Sequence, residues 1–219
     1  MTLISDGFDI VEQCLTAPEC RDVSSGLSTV KSAGTRKLLE SRWCQELAAT
    51  LRERLAPHYS VLSELVAIQC NYFHKSPKSN WLVAFHQDLS IPVAASASAK
   101  TQPGWSQKEG MTFAHGSEKL LAHMLAVRLH LDDSNDLNGP LQVVPGSHRQ
   151  GILAQGDASS LRESSPEQTL NVNQGGVILM RPLLLHASSK SQTSSPRRVL
   201  HFVFAPRKPP KGLKWNLAV

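Results

Sequence analysis

The segment Trp81-Leu-Val-Ala-Phe-His86-Gln-Asp88 carries an imidazole and a carboxylate two residues apart at the end of an apolar run. Side chains alternate faces along an extended strand. A strand here projects His86 and Asp88 to one side, with Leu82 and Ala84, and Trp81, Val83 and Phe85 to the other. An imidazole and a carboxylate on a common face are two of the three ligands of a facial metal triad. Two histidines and one carboxylate with open positions opposite suit non-haem Fe(II) and oxygen chemistry. A lone His-x-Asp pair is commonplace and usually solvated, so the reading needs a third ligand. The segment is read with one histidine far downstream, His186, which ends the apolar run Val177-Ile-Leu-Met-Arg-Pro-Leu-Leu-Leu, and from these residues alone the third ligand is still open.

Around that segment the chain reads as helices followed by strands. Residues 1–66 read as mainly helical. Thr16-Ala-Pro-Glu19 offers a Thr N-cap, a Pro in the first turn and an acid near the positive end of the helix dipole. Trp43, Leu47, Leu51 and Leu55 recur every four residues, an amphipathic helix stopped by Pro57. Its apolar stripe needs a sheet face to pack on. Residues 66–73 read as a strand, joined in a hairpin to the strand over 81–89. Residues 91–110 read as a long loop, and loops of that length inside a domain are usually functional or disordered. Trp105, flanked by glycines in that loop, is a candidate lid residue. Residues 120–131 hold a strand with Leu125, Val127, Leu129 and Leu131 on one face and Met124, Ala126, Arg128 and His130 on the other. A short strand over 141–144, a polar surface excursion over 151–170, a strand pair broken near Pro182 and a last strand over 197–205 complete the reading. Strands without intervening helices favour an antiparallel sandwich or barrel over a parallel α/β sheet. The expectation is one domain, mainly β with flanking α: a helical buttress over 1–66, a β core over 67–205 and a polar tail over 206–219.

Composition removes several classes of function. At 219 residues, 41% hydrophobic and 19% charged, the chain fits one globular domain long enough for a sizeable core. A net charge of +5 is mildly basic, and the lysines and arginines are scattered apart from Arg207-Lys-Pro-Pro-Lys211 and Lys214. With no helix-turn-helix or zinc-finger pattern, no nucleic-acid partner is expected. An anionic small substrate accounts for the charge at least as well. Cys14, Cys20, Cys44 and Cys70 form no C-x-x-C pair, which argues against structural zinc. They read as buried free thiols, in keeping with a reducing cytosol. No basic leader precedes an apolar stretch at the N-terminus, and no run approaches the ~18 apolar residues of a membrane span. A cytoplasmic protein without a membrane partner is expected. No long apolar patch demands a partner chain, so a monomer is expected too.

Several separated motifs, in order, resemble the phytanoyl-CoA dioxygenase family of Fe(II)/2-oxoglutarate-dependent oxygenases. They are His86-x-Asp88, Asn138-Gly-Pro-Leu-x-Val-Val-Pro-Gly-Ser-His148, Leu185-His186-x-Ser188 and Arg197. The similarity spans nearly the whole chain. It implies a double-stranded β-helix (jelly-roll, cupin-like) core buttressed by N-terminal helices, which agrees with the strands read above. It implies His86, Asp88 and His186 as Fe(II) ligands, with no catalytic residue beyond them. Three open positions would then take the 1-carboxylate and 2-keto oxygens of 2-oxoglutarate, the co-substrate, and O2. The implied reaction is hydroxylation of a small-molecule substrate with release of succinate and CO2. Related halogenases carry a small residue at the carboxylate position, so Asp88 favours hydroxylation, or another oxidation by the same chemistry, over halogenation.

The resemblance also places an arginine eleven positions after the second histidine, here Arg197, on the distal carboxylate of 2-oxoglutarate. A planar fork that grips a carboxylate with two N–H groups is the physical reason for Arg. Parity separates it from its neighbour: Arg197 shares a face with Val199, His201 and Val203, whereas Arg198 shares one with Leu200, Phe202 and Phe204, the set suited to packing on the helices. Ser188 matches a position that can hydrogen-bond the same carboxylate. Gln69 is a further co-substrate candidate. Lys75, Trp105 and Arg128 are substrate candidates, although a lysine at a strand end is usually solvated. An ion pair with Asp132 or Asp133 is the alternative for Arg128. His58, His74, His115, His123, His148 and His201 read as structural, with His148 tying its turn to backbone carbonyls. The competing function is a non-catalytic, cupin-like metal-binding jelly roll, which needs no clamp such as Arg197 and Ser188.

Overall fold

The computed structural model describes residues 2–30 and 32–219, and for Ala97 and Ser98 the backbone alone. In chain order the N-terminal part runs β1 (Phe8–Val11), α1 (Ala17–Gly26), β2 (Gly34–Thr35), α2 (Arg42–Leu55) and β3 (Leu65–Lys75). Then come β4 (Val83–His86), β5 (Ser90–Val93), α3 (Ala97–Lys100), β6 (Ser106–Lys108), β7 (Met111–His115) and α4 (Glu118–Ala122). The remainder is β8 (Leu125–His130), β9 (Leu141–Val143), α5 (Gln155–Ser164), β10 (Gln168–Leu170), β11 (Val177–Met180), β12 (His186–Ser188) and β13 (Arg197–Pro206).

Three antiparallel sheets result. The largest has the order β1-β11-β8-β13-β3-β2, the second β10-β9-β12-β4, and the smallest β5-β7-β6. The inward faces of the first two share a core of Phe8, Ala126, Ile178 and Met180 against Leu141, Val143 and Leu170. The outer face of the large sheet packs on the helices. There Leu47, Leu51 and Leu55 of α2 meet Leu125, Val127 and Leu129 of β8 and Leu200, Phe202 and Phe204 of β13. These are the faces that alternation assigns. The architecture is the jelly roll buttressed by helices. α1 begins with a capping box: Thr16 Oγ1 accepts from Glu19 N–H at 3.4 Å, and Thr16 N–H donates to Glu19 Oε2 at 2.8 Å. Arg54 of α2 then clasps Glu19 at 2.5 Å and donates to Cys14 O at 2.8 Å, fixing the two helices to each other. The four cysteines are buried and free.

Five details differ from the sequence reading. Residues 1–66 are not all helical: β1 pairs residue for residue with β11, from Phe8↔Met180 to Val11↔Val177. A four-residue strand carries too few alternations to show in sequence. β3 and β4 are not a hairpin. β3 pairs with β13 and β2, and β4 with β12, so the chain crosses from one sheet to the other between them. Residues 91–110 are not one loop but carry β6 and all but the first residue of β5 in the small sheet, followed by a tight turn into β7 in which Glu109 (φ 53°) and Gly110 (φ 77°) are both left-handed. Arg36 N–H, Arg36 Nη1 and Thr35 Oγ1 all donate to the Glu109 carboxylate and hold that conformation. The 151–170 excursion contains α5, none of whose residues is buried, which is why no apolar period marks it. The tail is docked rather than only polar: Trp215 is 9% exposed, and Val219 exchanges backbone hydrogen bonds with Ala67.

Candidate metal centre and its pocket

β4 and β12 bring the two histidines together. His86 and His186 are register partners, with ring centroids 4.3 Å apart. Each Nδ1 lies 2.8 Å from the carbonyl oxygen two residues earlier, Ala84 O for His86 and Leu184 O for His186. A carbonyl only accepts, so both Nδ1 atoms carry a proton, and the lone pair of a neutral ring is then on Nε2. Asp88 lies just beyond β4, anchored by its N–H to Pro182 O at 2.8 Å. Its carboxylate oxygens sit 3.7 Å from His86 Nε2 and 3.7 Å from His186 Nε2. One ligand atom from each residue lies within 4.8 Å of the others, a spacing that one cation can bridge.

The expected alternation along β4 fails in an instructive way. Ser188 pairs with Val83 rather than Ala84, so the ladder carries a bulge. Trp81 and Val83 therefore line the pocket with His86, while Leu82 is 61% exposed.

Neighbouring residues lock this geometry. Gln87, between the two candidate ligands, donates to Gly151 O (2.8 Å) and Leu183 O (2.7 Å) and accepts from Leu153 N–H (2.8 Å). Ser147 Oγ accepts from Leu185 N–H at 2.8 Å, fixing the residue before His186. His148 Nε2 lies 3.2 Å from Ile4 O, a backbone tether rather than a ligand. The Pro-Gly-Ser-His turn thus holds the approach to β12.

Electrostatics favour a cation. Burial pushes the His186 imidazole down to about 4 against the pull of Asp88, so it is neutral at neutral pH and its Nε2 could ligate a metal. Burial by itself raises the Asp88 carboxyl, but His186, His201, His86 and Arg128 outweigh it and leave it below the ordinary range. Asp88 is ionised.

The centre opens into a cavity of about 440 Å³. Arg197, 1% exposed, reaches it from the start of β13. Its Nη2 lies 3.4 Å from Ser188 Oγ, while Nε and Nη1 have no hydrogen-bond partner among the described residues. Arg198, one residue on, faces away and forks onto Asp132 at 2.7 and 2.9 Å. Lys75, read as a substrate candidate although strand-end lysines are usually solvated, lines the cavity and is 1% exposed. It donates to Ser188 Oγ at 2.8 Å and to Ser189 O, beneath the Trp81 ring at 5.8 Å. Ser188 Oγ in turn donates to Gly139 O at 2.9 Å. Gly139 has φ 75°, and a Cβ there would collide with Ser189 O and crowd Lys75 Nζ, so the glycine of the motif is a packing requirement of this subsite.

Gln69 and Arg128 also line the cavity. Gln69 donates to Asn71 Oδ1 at 2.7 Å. Arg128 has no ion pair with Asp132, which Arg198 occupies. Trp105 does not line the pocket: it is 40% exposed, and Trp81 holds the aromatic place assigned to it. His201, read as structural, lines the cavity with Nε2 3.5 Å from Asp88 Oδ2. Its position on the Arg197 face of β13 was the signal that could have found it. Phe113 and Lys108, from the small sheet, escaped sequence reading because that sheet did.

The phytanoyl-CoA dioxygenase (PhyH) family model matches residues 4–199. The chain belongs to this family. A search among curated proteins found no match. Among solved structures, similarity covers 93% of this chain in each of three cases. The non-heme alpha-ketoglutarate-dependent epimerase SnoN from nogalamycin biosynthesis is matched over 80% of its length at 19% identity, TM-score 0.68. EctD from S. alaskensis, with bound Fe, is matched over 74% at 17% identity, TM-score 0.68. HygX from Streptomyces hygroscopicus, with nickel and 2-oxoglutarate bound, is matched over 84% at 17% identity, TM-score 0.64. At these identities the likeness establishes the family's jelly-roll fold. No helix among the described residues is long and apolar enough to cross a membrane.

Proposed function

We propose that this family member is an Fe(II)- and 2-oxoglutarate-dependent dioxygenase that hydroxylates a small molecule. The observation that carries the reading is a single cavity lined both by the His86, Asp88 and His186 cluster and by Arg197. The donor set fits the metal: two imidazoles whose Nε2 atoms face one ionised carboxylate suit Fe(II) and leave positions open. The unpartnered Nε and Nη1 of Arg197 fit the co-substrate, because a buried guanidinium is tolerated when an anion satisfies it. A non-catalytic metal-binding barrel has no use for that clamp.

When bound, iron and 2-oxoglutarate would supply the oxidising chemistry, in which O2 and the keto acid yield succinate, CO2 and a hydroxylated substrate. The protein's own part is placement. His86, His186 and Asp88 would hold the metal, the Nδ1–H bonds to backbone carbonyls keeping both rings in the ligating tautomer. Arg197 would take the distal carboxylate, joined by Ser188 once its hydroxyl proton turns from Gly139 O to the anion, with Lys75 adding positive charge from below. Phe113, Met124 and Leu141 line the same cavity and exclude water. The test is succinate formation from 2-oxoglutarate by the protein supplied with Fe(II), ascorbate and air. Turnover that vanishes on chelation is expected, and its absence in metal-loaded protein overturns the reading.

A further inference from the structure

Five cationic side chains line the cavity, namely Arg36, Lys75, Lys108, Arg128 and Arg197, against one carboxylate, Asp88. Arg36 has its counter-ion in Glu109 at 2.8 Å. Lys75 and Arg197 converge on Ser188, the subsite assigned above to the distal carboxylate. A divalent iron and a doubly charged 2-oxoglutarate cancel, so loading the centre leaves the cationic surplus in place. Within that surplus, Arg128 and Lys108 are the two cations placed neither at the Ser188 subsite nor against Glu109.

Arg128 is the more telling of the two. It projects from the middle of β8 and is 6% exposed. Its Nε has no hydrogen-bond partner among the described residues. Nη1 lies 3.5 Å from His201 Nδ1, the outer limit of a hydrogen bond, and the guanidinium stacks 5.4 Å above the Phe73 ring. Burial pulls its pKa down to about 10, with Asp88 working the other way. A buried guanidinium without a carboxylate costs stability in the empty protein. Lys108, on β6, rests 5.3 Å from the Phe113 ring with no acid partner among the described residues. Both cations thus sit on aromatic rings facing the cavity, a pairing of charge with flat apolar surface.

Taking the metal and co-substrate reading above as its basis, we propose that the primary substrate is a small organic acid, whose carboxylate or phosphate is anchored by Arg128 with its body against Phe73 and Phe113. Lys108 adds to the attracting field from the small sheet. Arg128 is then a specificity-determining residue, distinct in role from Arg197.

The test compares wild type, Arg128→Met and Arg128→Lys, each loaded with Fe(II) and 2-oxoglutarate without oxygen. The probes are benzoate, inorganic phosphate and neutral benzamide at constant ionic strength, read by Tm and by 2-oxoglutarate affinity. Benzoate and phosphate are expected to raise the wild-type Tm more than benzamide does. Arg128→Met abolishes that difference and Arg128→Lys keeps part of it. In Arg128→Met the 2-oxoglutarate Kd stays within about twofold of wild type, and the ligand-free Tm is unchanged or higher because an unpaired buried charge is gone. A Kd weakened about tenfold or more overturns the proposal by assigning Arg128 to the co-substrate. A lower ligand-free Tm overturns it by making the role structural, and equal response to benzoate and benzamide in wild type removes the anion subsite. Wild-type protein that fails to bind 2-oxoglutarate would instead sink the underlying functional reading, which the same titration shows separately.

Discussion

His86 and His186 are direct partners across one β-ladder, and their rings lie 4.3 Å apart. Each Nδ1 is committed to a carbonyl of its own strand segment, so both Nε2 atoms are left facing Asp88. The ladder therefore builds the candidate metal centre before any metal arrives.

Removing either ring should abolish metal binding without unfolding the sheet. His186→Ala and His86→Ala are expected to weaken Fe(II) by more than about 100-fold, a larger loss than second-sphere changes give. Metal analysis after gel filtration, with circular dichroism to verify the fold, checks this.

Gln87 is expected to matter without touching the metal. Its three hydrogen bonds tie the loop between the candidate ligands to residues 151, 153 and 183. Gln87→Ala should cost about 10- to 100-fold in Fe(II) affinity, measured by competition with a chelator.

The adjacent arginines should separate cleanly. Arg198 makes a charge-assisted fork to Asp132, so Arg198→Ala is expected to destabilise the fold by about 1–3 kcal/mol and leave 2-oxoglutarate affinity unchanged. Arg197→Ala should do the reverse, weakening 2-oxoglutarate and sparing both Fe(II) and ligand-free stability. Denaturant melts and ligand titrations on the two variants decide it.

Lys75 gives a pH signature. Burial, with Arg197 and Arg128 nearby, pulls its ammonium from an ordinary 10.5 down to about 7. Below pH 7 the folded state carries the full cost of the buried charge. Between about 7 and 10.5 the folded lysine has lost its proton and the unfolded one has not, so Lys75 makes ligand-free stability rise with pH across that window. An anion in the subsite favours the charged form, so 2-oxoglutarate affinity should fall as pH rises above 7. Lys75→Met should flatten both slopes.

What sequence shows and hides follows from length and periodicity. α2, β8 and β13 were legible because each carries enough residues to display its period, and their faces fall where alternation puts them. The Asn138–Gly139 and Ser147–His148 positions were legible as motifs, and the structure explains them as supports for Ser188 and Leu185. β1 and β6, of four and three residues, were not legible, and Lys108 was missed with β6. The bulge between His186 and Ser188 shifted Val83 into the pocket, which strict alternation along β4 could not foresee. Lys75 looked solvated because its burial depends on Ser188 and Ser189, more than a hundred residues away.

The central claim is that one cavity holds Fe(II) on His86, Asp88 and His186 and 2-oxoglutarate on Arg197. An oxygen-free titration of the Fe(II)-loaded protein with 2-oxoglutarate, followed by the visible charge-transfer absorption of a keto acid chelated to ferrous iron, tests it most directly. The band is expected to grow to saturation in wild type, to need far more 2-oxoglutarate in Arg197→Ala, and to be absent in His186→Ala. Iron-loaded wild type that develops no band, or an Arg197→Ala curve that overlays wild type, would contradict the account.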